Sequence, residues 1–317
     1  MTRTPEQLSF IALEVAREAA ALLMKGFRSR PHAEEKARAD LVTEWDIASE
    51  RLIRKRLAER APELGVVAEE EGGEKGAGPA FYCDPLDGTT NFVHGHPFFC
   101  VSIGVLDGGT AIAGAVVAPC LGLDWQGHQG GVAKRNGEPC RVSGARTLSE
   151  SLVATGFPAD RSREPESNFG SFVRVKKNVR GVRRCGSAAI DLCFVADGTY
   201  DGYWERRLNA WDLAGGAAVV LAAGGRLTAL DGGPLRIVGQ SDRRSAAAND
   251  TVGQSDRRSA AANDTVGQSD RRSAAANDSV GQSDRRSAAA NHSVGQIVAS
   301  NGLIHEGLVG LIQNEQF

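Results

Sequence analysis

Asp84-Pro85-Leu86-Asp87-Gly88-Thr89-Thr90-Asn91-Phe92 follows a short apolar run, Ala80-Phe81-Tyr82-Cys83, and its reading decides what the rest of the chain must be. Two carboxylates three residues apart stand at the end of an expected strand, with a proline between them and a glycine directly after. Pro85 restricts the backbone, so both carboxylates can face one point. Gly88 lets the N–H groups of Gly88 and Thr89 approach an anion closely. Hard oxygen ligands of this kind suit Mg²⁺ rather than zinc, and such a cation shares its remaining positions with water and substrate phosphate. Metal-assisted phosphoryl transfer is the chemistry to expect. On spacing alone, a pair of turn acids at the surface is an equal reading.

Moving outward, Gly65-Val66-Val67-Ala68 is a second apolar run that ends in acids, Glu69-Glu70-Glu71. Both runs read as buried strands with acids at their C-terminal ends. Residues 98–118 predict a hairpin around Asp107-Gly108-Gly109, and Asn136-Gly137 predicts a further turn. Leu8, Ile11, Val15, Ala19, Leu22 and Leu23 predict an amphipathic N-terminal helix; Glu14, Arg17 and Glu18 exclude a membrane span or signal peptide over that stretch. Thr43-x-x-Asp46 predicts a capped helix with Leu52, Ile53 and Leu57 on its apolar face. Ser187 predicts an N-cap before AAIDLCFVADG, and Trp211-Asp212 opens an apolar helix stopped by Gly224-Gly225. A last helix follows Gly302. Irregular alternation of strands and helices predicts a mixed α/β fold in layers.

The opening stretch extends as DPLDGTTNFVHG-x-P and is followed by Val101-Ser102-Ile103-Gly104-Val105; together they closely resemble the signature of the inositol monophosphatase family. Trp211-Asp212-Leu213-Ala214-Gly215-Gly216 resembles the family's second signature, W-D-x-A-x-G. Arg184-Cys185-Gly186-Ser187-Ala188-Ala189 through Glu205 is similar to its substrate-side segment, and Leu41-Val42-Thr43-x-x-Asp46 and Ala68-Glu69-Glu70 match upstream, in order. The likeness runs from the first helix to residue 240 and resumes at Ile297. It implies the α-β-α-β-α sandwich shared with fructose-1,6-bisphosphatase and Mg²⁺-dependent hydrolysis of a small phosphate monoester. By position, Glu69, Asp84 and the Leu86 carbonyl would hold one Mg²⁺, and Asp84, Asp87 and Asp212 a second; a third, weaker ion near Glu69 is allowed. Asp46 and Thr89, with Glu69, would orient and activate the attacking water. The Gly88 and Thr89 amides would bind phosphate, while Asp87, Glu205 and the backbone at Gly186 and Ala188 would contact the leaving alcohol. Inositol monophosphate is the first substrate implied; histidinol phosphate, fructose bisphosphate and nucleotide phosphates are the family's alternatives. Lithium sensitivity and a homodimer also come with the resemblance alone.

The physical logic agrees. A phosphate monoester is a dianion that repels hydroxide, so cations are needed both to neutralise it and to supply a nucleophile near neutral pH. Four acids brought together without metal would repel one another or take up protons. Asp46 also has a plain reading as a helix cap, and the two roles are compatible. Glu70 and Glu71 read as solvated neighbours of Glu69. His94 and His96 lack further soft ligands and read as loop packing. Asp191 reads as a residue of an exposed helix face, and Arg184 either shapes the pocket or is ordinary surface charge.

Composition bounds the rest. The 317 residues are 41% hydrophobic with net charge −2, so no basic surplus points to nucleic acid or an anionic membrane. Six scattered cysteines without a CxxC pair read as reduced thiols in a cytoplasmic protein. From Val238 to Ser293, VGQSDRRSAAANDT occurs four times in tandem, varying only at its last two positions. One Val and three consecutive Ala per unit are too little apolar content for a solenoid layer. Because Val-Gly-Gln occurs at 238–240 and again at 294–296, excising 241–296 rejoins LRIVGQ to IVASNG as one strand-like run. The array therefore reads as a flexible or partly helical insertion, 241–296, within a catalytic domain of 1–240 and 297–317. A binding or assembly module is the competing reading of the repeats.

Overall fold

The structure, a computed structural model, describes residues 3–37, 40–73, 78–158, 167–237 and 295–314. The repeat array lies outside the described residues, apart from its flanks. Thr4 opens helix α1 (Pro5–Gly26): its hydroxyl accepts from the Gln7 amide, and the Gln7 side chain accepts from the Thr4 amide. Leu8, Ala12, Val15, Ala19 and Leu23 recur at helical spacing and are buried. A hairpin of β1 (Ala33–Ala37) and β2 (Asp40–Thr43) leads to α2 (Glu44–Arg60), capped by Thr43 and Asp46 as the sequence predicts.

Seven strands form the larger sheet in chain order: β3 (Gly65–Ala68), β4 (Ala80–Asp87), β5 (Cys100–Asp107), β6 (Thr110–Ala118), β7 (Leu123–His128), β8 (Lys134–Arg135) and β9 (Glu138–Pro139). A single turn of helix, α3 (Thr89–Val93), follows β4. Gly108-Gly109 and Asn136-Gly137 all have positive φ, as the two-residue hairpin turns after β5 and β8 require. The strand expected over 80–83 is longer than its apolar run and carries Asp84 and Asp87 within it.

Strand alternation builds two interfaces from one sheet. Phe81, Cys83, Val101, Ile103, Val105, Ala113 and Ala115 face α1 and α2 and form one core with them. The opposite face carries Tyr82, Cys100 and Val116 into a core shared with α5 (Ala188–Ala196) and α6 (Ala210–Ala222).

Those two helices lie on the smaller sheet, ordered β11 (Gly181–Arg183), β10 (Leu152–Thr155), β12 (Gly202–Glu205), β14 (Ile297–Ser300) and β13 (Arg226–Thr228). Tyr203, Ile297 and Ala299 point to the helical layer. Val153, Trp204 and Val298 point the other way, into a third core closed by α4 (Phe169–Asn178) and α7 (His305–Gln313). The expected α-β-α-β-α stack is thus the observed one.

The run LRI at 235–237 is not a strand. The Ile237 amide donates to the Gly109 carbonyl (3.0 Å), so this segment packs on the β5–β6 turn instead of joining a sheet. The chain is described again from Gly295, whose carbonyl accepts from the Leu208 amide (2.7 Å), two residues before β14. Among the described residues no helix is long and apolar enough to cross a membrane.

Candidate active site

Asp84 pairs with Ser102 and Asp87 with Cys100, so β4 advances three residues while β5 advances two. In a regular strand, residues three apart point to opposite faces. The extra residue at Pro85-Leu86 is a bulge, and it returns Asp87 to the face of Asp84, toward α6. The Ser49 hydroxyl donates to the Pro85 carbonyl (2.8 Å), tying the bulge to α2, and the Leu86 amide donates to Asp84 Oδ1 (3.0 Å).

Asp212 reaches the same place from the third position of α6, where its Oδ2 accepts from the Asn209 amide (2.6 Å). The approach of α6 depends on a row of glycines across the sheet: Gly104 pairs with Gly114, and Gly114 with Gly127. A Cβ on Gly114 would stand 2.7 Å from the Gly215 carbonyl oxygen, and one on Gly127 2.8 Å from Val219 Cα. Backbone therefore packs on backbone, and the start of α6 is set at close range to β4.

These elements enclose a cavity of about 200 Å³. Glu69, Asp84, Leu86, Asp87, Gly88, Thr89 and Asp212 line it, together with Gly156, Arg184, Gly186, Ser187, Ala188, Asp191, Glu205 and Leu208. All the residues given a metal-binding, catalytic or substrate-binding role from sequence are brought together there except Asp46, which stands behind Thr89. Asp46 is 1% exposed; its Oδ2 accepts from the Thr43 amide (2.8 Å) and hydroxyl (2.6 Å), and its Oδ1 faces Thr89 Oγ1 at 2.9 Å. The Thr89 hydroxyl also lies 3.1 Å from the Leu86 carbonyl. Gly88 takes φ +97°, a value glycine adopts freely, and a Cβ would press on the Phe98 carbonyl at 3.0 Å. Asp87 Oδ2 accepts from the Ser187 hydroxyl (2.8 Å) and the Ala189 amide (2.7 Å), which joins the bulge to the start of α5.

Burial pushes the carboxyl groups of Asp84 and Asp212 well above the usual range, and the charge of Glu69, followed by those of neighbouring aspartates, pushes them further. Burial also raises Asp87 and Asp46, against the hydrogen bonds each accepts. Glu205 is pushed up to about 7 by burial, opposed by the Tyr203 hydroxyl that donates to it. Among the described residues no three such side chains converge on one point at coordination distance. The donor set nevertheless fits a hard divalent cation: all oxygen and crowded, with Asp84 and Asp212 each committing one carboxyl oxygen to a backbone N–H.

Several residues at the site went unremarked in the sequence, and one was misread. Asp191 is not on an exposed face; it is 2% exposed and lines the cavity, its carboxyl raised by burial and by Glu205. Helix α5 lies between two sheets, so it has no solvent stripe for periodicity to reveal. Gly156 is a second omission: any side chain there would collide with the Glu205 carboxyl. Glu50 is a third. It is 1% exposed, pairs with Arg54 and accepts from the amides of Glu70 (2.7 Å) and Glu71 (2.9 Å), which fixes the turn beside Glu69. Arg184 lines the cavity, and Glu71 is half exposed, facing Arg51 and Arg54. His96 stacks on Phe98, and neither His94 nor His96 lines the cavity.

Five alternating layers, with an acid-lined cavity at the strand ends between two sheets, define a class: the layered α/β phosphatases of small phosphate esters. Within it, this chain belongs to the inositol monophosphatase family, whose model matches residues 4–274. It is 41% identical to the inositol-1-monophosphatase of Synechocystis over 71% of this chain and 79% of that protein. It is 37% identical to the Nus factor SuhB of Pseudomonas aeruginosa over 70% of this chain and 85% of that one. Among solved structures, the inositol monophosphatase of Anabaena superposes with a TM-score of 0.71 at 31% identity, covering 96% of this chain and 94% of that one.

Proposed function

We propose that this protein hydrolyses a small phosphate monoester, inositol monophosphate first among them, with Mg²⁺ held by Glu69, Asp84, the Leu86 carbonyl, Asp87 and Asp212. The observation that carries the reading is the gathering of those four acids in one cavity with the Thr89–Asp46 pair directly behind. Two bound cations, with a third, weaker one near Glu69, would neutralise the phosphate dianion and make water a competent nucleophile near neutral pH.

This chain's residues do the remaining work. Thr89 Oγ1 accepts a proton from the attacking water as its own passes toward Asp46 Oδ1, whose carboxyl burial has made more basic. Glu69 orients the same water. The Gly88 and Thr89 amides would bind the phosphate oxygens, a role that the left-handed backbone at Gly88 supports. Asp87, Glu205 and the backbone at Gly186 and Ala188 receive the alcohol.

A cytoplasmic homodimer of catalytic units 1–240 and 297–317, sensitive to lithium and interrupted by the insertion 241–296, completes the proposal. The six cysteines stand as free thiols, in keeping with a reducing compartment. Assaying inositol monophosphate, histidinol phosphate, fructose 1,6-bisphosphate and a nucleoside monophosphate with Mg²⁺ tests the reading. Inositol monophosphate should give the highest kcat/KM, and phosphate release from none of them would refute it.

A further inference from the structure

The alcohol side of the cavity holds one acid to which the reaction above gives no task. Asp191 lines the cavity from the first turn of α5, is 2% exposed, and has an enclosed Oδ1 that finds no hydrogen-bond partner among the described residues. Polar groups nearby are engaged elsewhere. The Ser187 hydroxyl donates to Asp87, the Tyr203 hydroxyl donates to Glu205, and the Tyr200 hydroxyl faces Cys185 Sγ at 3.6 Å. A buried acceptor without a partner, on a residue that lines a cavity, calls for a donor, and a bound molecule can supply it.

Arg184 narrows the identity of that donor. It stands exposed on the same cavity wall, near enough to draw on the charges of both Asp191 and Glu205, without an ion pair to either among the described residues. An alcohol hydroxyl satisfies both open groups at once: its proton goes to the carboxyl oxygen, and its oxygen accepts from the guanidinium. A second phosphate would satisfy Arg184 but bring acceptor-only oxygens against Asp191 and Glu205. A bare C–H would satisfy neither. Asp191 keeps an accepting oxygen in either protonation state, so it can take this hydrogen bond whatever its charge.

We propose that Asp191, assisted by Arg184, is a specificity-determining residue that accepts a hydrogen bond from a free hydroxyl of the leaving alcohol, restricting the enzyme to phosphate esters of polyhydroxylated alcohols. This rests on the phosphatase reading above. The test measures kcat and KM of the full chain with Mg²⁺ on two esters, inositol 1-phosphate and p-nitrophenyl phosphate, which has no free hydroxyl. In Asp191→Ala the kcat/KM ratio of the first ester to the second should fall about 30-fold, mostly through KM for inositol 1-phosphate. Asp191→Asn, which retains an accepting oxygen, should recover most of that ratio. The ratio is independent of how much of a variant is folded. A ratio unchanged in Asp191→Ala, with both substrates affected alike, overturns the proposal while leaving the phosphatase standing. Wild-type protein that hydrolyses neither ester overturns the phosphatase reading beneath it.

Discussion

The four acids of the cavity work against the fold as long as no cation is present. Glu69, Asp84, Asp87 and Asp212 share one small space, and burial together with mutual repulsion raises the carboxyl groups of Asp84 and Asp212. A carboxyl group raised in the folded state holds its proton longer there than in the unfolded chain. Its contribution to stability is therefore lost as pH climbs above its ordinary value of 3.8. Asp212→Asn removes one of the mutually repelling charges. In thermal denaturation without metal, this variant should melt a few degrees above wild type, by an amount that grows with pH. The same variant should lose the upward Tm shift that Mg²⁺ gives wild type and should hydrolyse at least 100-fold more slowly. An equal Mg²⁺-induced shift in both proteins would remove Asp212 from the ligand set.

At the scale of elements, the position of the site is a packing result. Asp212 stands where it does because α6 lies backbone-close on the row Gly104, Gly114 and Gly127. Gly114→Ala places a methyl group against Gly215 backbone, which cannot swing aside as a side chain could. We expect a loss of about 1–3 kcal/mol in denaturant unfolding, together with weaker Mg²⁺ activation because α6 is lifted. Helix α7 is joined to the smaller sheet by a neutral histidine: Thr228 Oγ1 stands 2.9 Å from His305 Nε2, and Ser300 Oγ 2.8 Å from Nδ1. Burial lowers His305 to about 4 from 6.5. The unfolded chain therefore takes up this proton first as pH falls, and stability present above 6.5 is lost on the way down to about 4. Relative to wild type, His305→Gln should lose less stability over that interval in chemical denaturation.

Helices with one wet face, such as α1 and α2, were legible from apolar spacing and caps, and the β5–β6 hairpin from its Gly-Gly turn. Asp191 was not. Eight of the nine residues of α5 are buried, so spacing within it says nothing about which residue meets the cavity. The bulge that turns Asp84 and Asp87 to one face was hidden for a related reason, since register belongs to β5 as much as to β4.

The whole molecule sets the site between its two sheets and the repeat array after Ile237. The described chain stops against the β5–β6 turn and returns at Gly295 beside Leu208, a residue of the cavity wall. If the array is an insertion, deleting 241–296 should leave kcat within about twofold and cost little stability, because closing a longer loop costs only slowly growing entropy. A change in oligomeric state after the deletion, followed by light scattering, would instead assign assembly to the repeats. The central proposal is that the acids gathered from the end of β3, from β4 and from α6 hold the cations that drive ester hydrolysis. Phosphate release from inositol monophosphate, measured with Mg²⁺ and after its removal by a chelator, tests it in wild type and Asp84→Asn. Turnover should vanish on chelation, return with Mg²⁺, and be absent in Asp84→Asn at every Mg²⁺ concentration. Turnover that survives chelation, or full activity in Asp84→Asn, would contradict it.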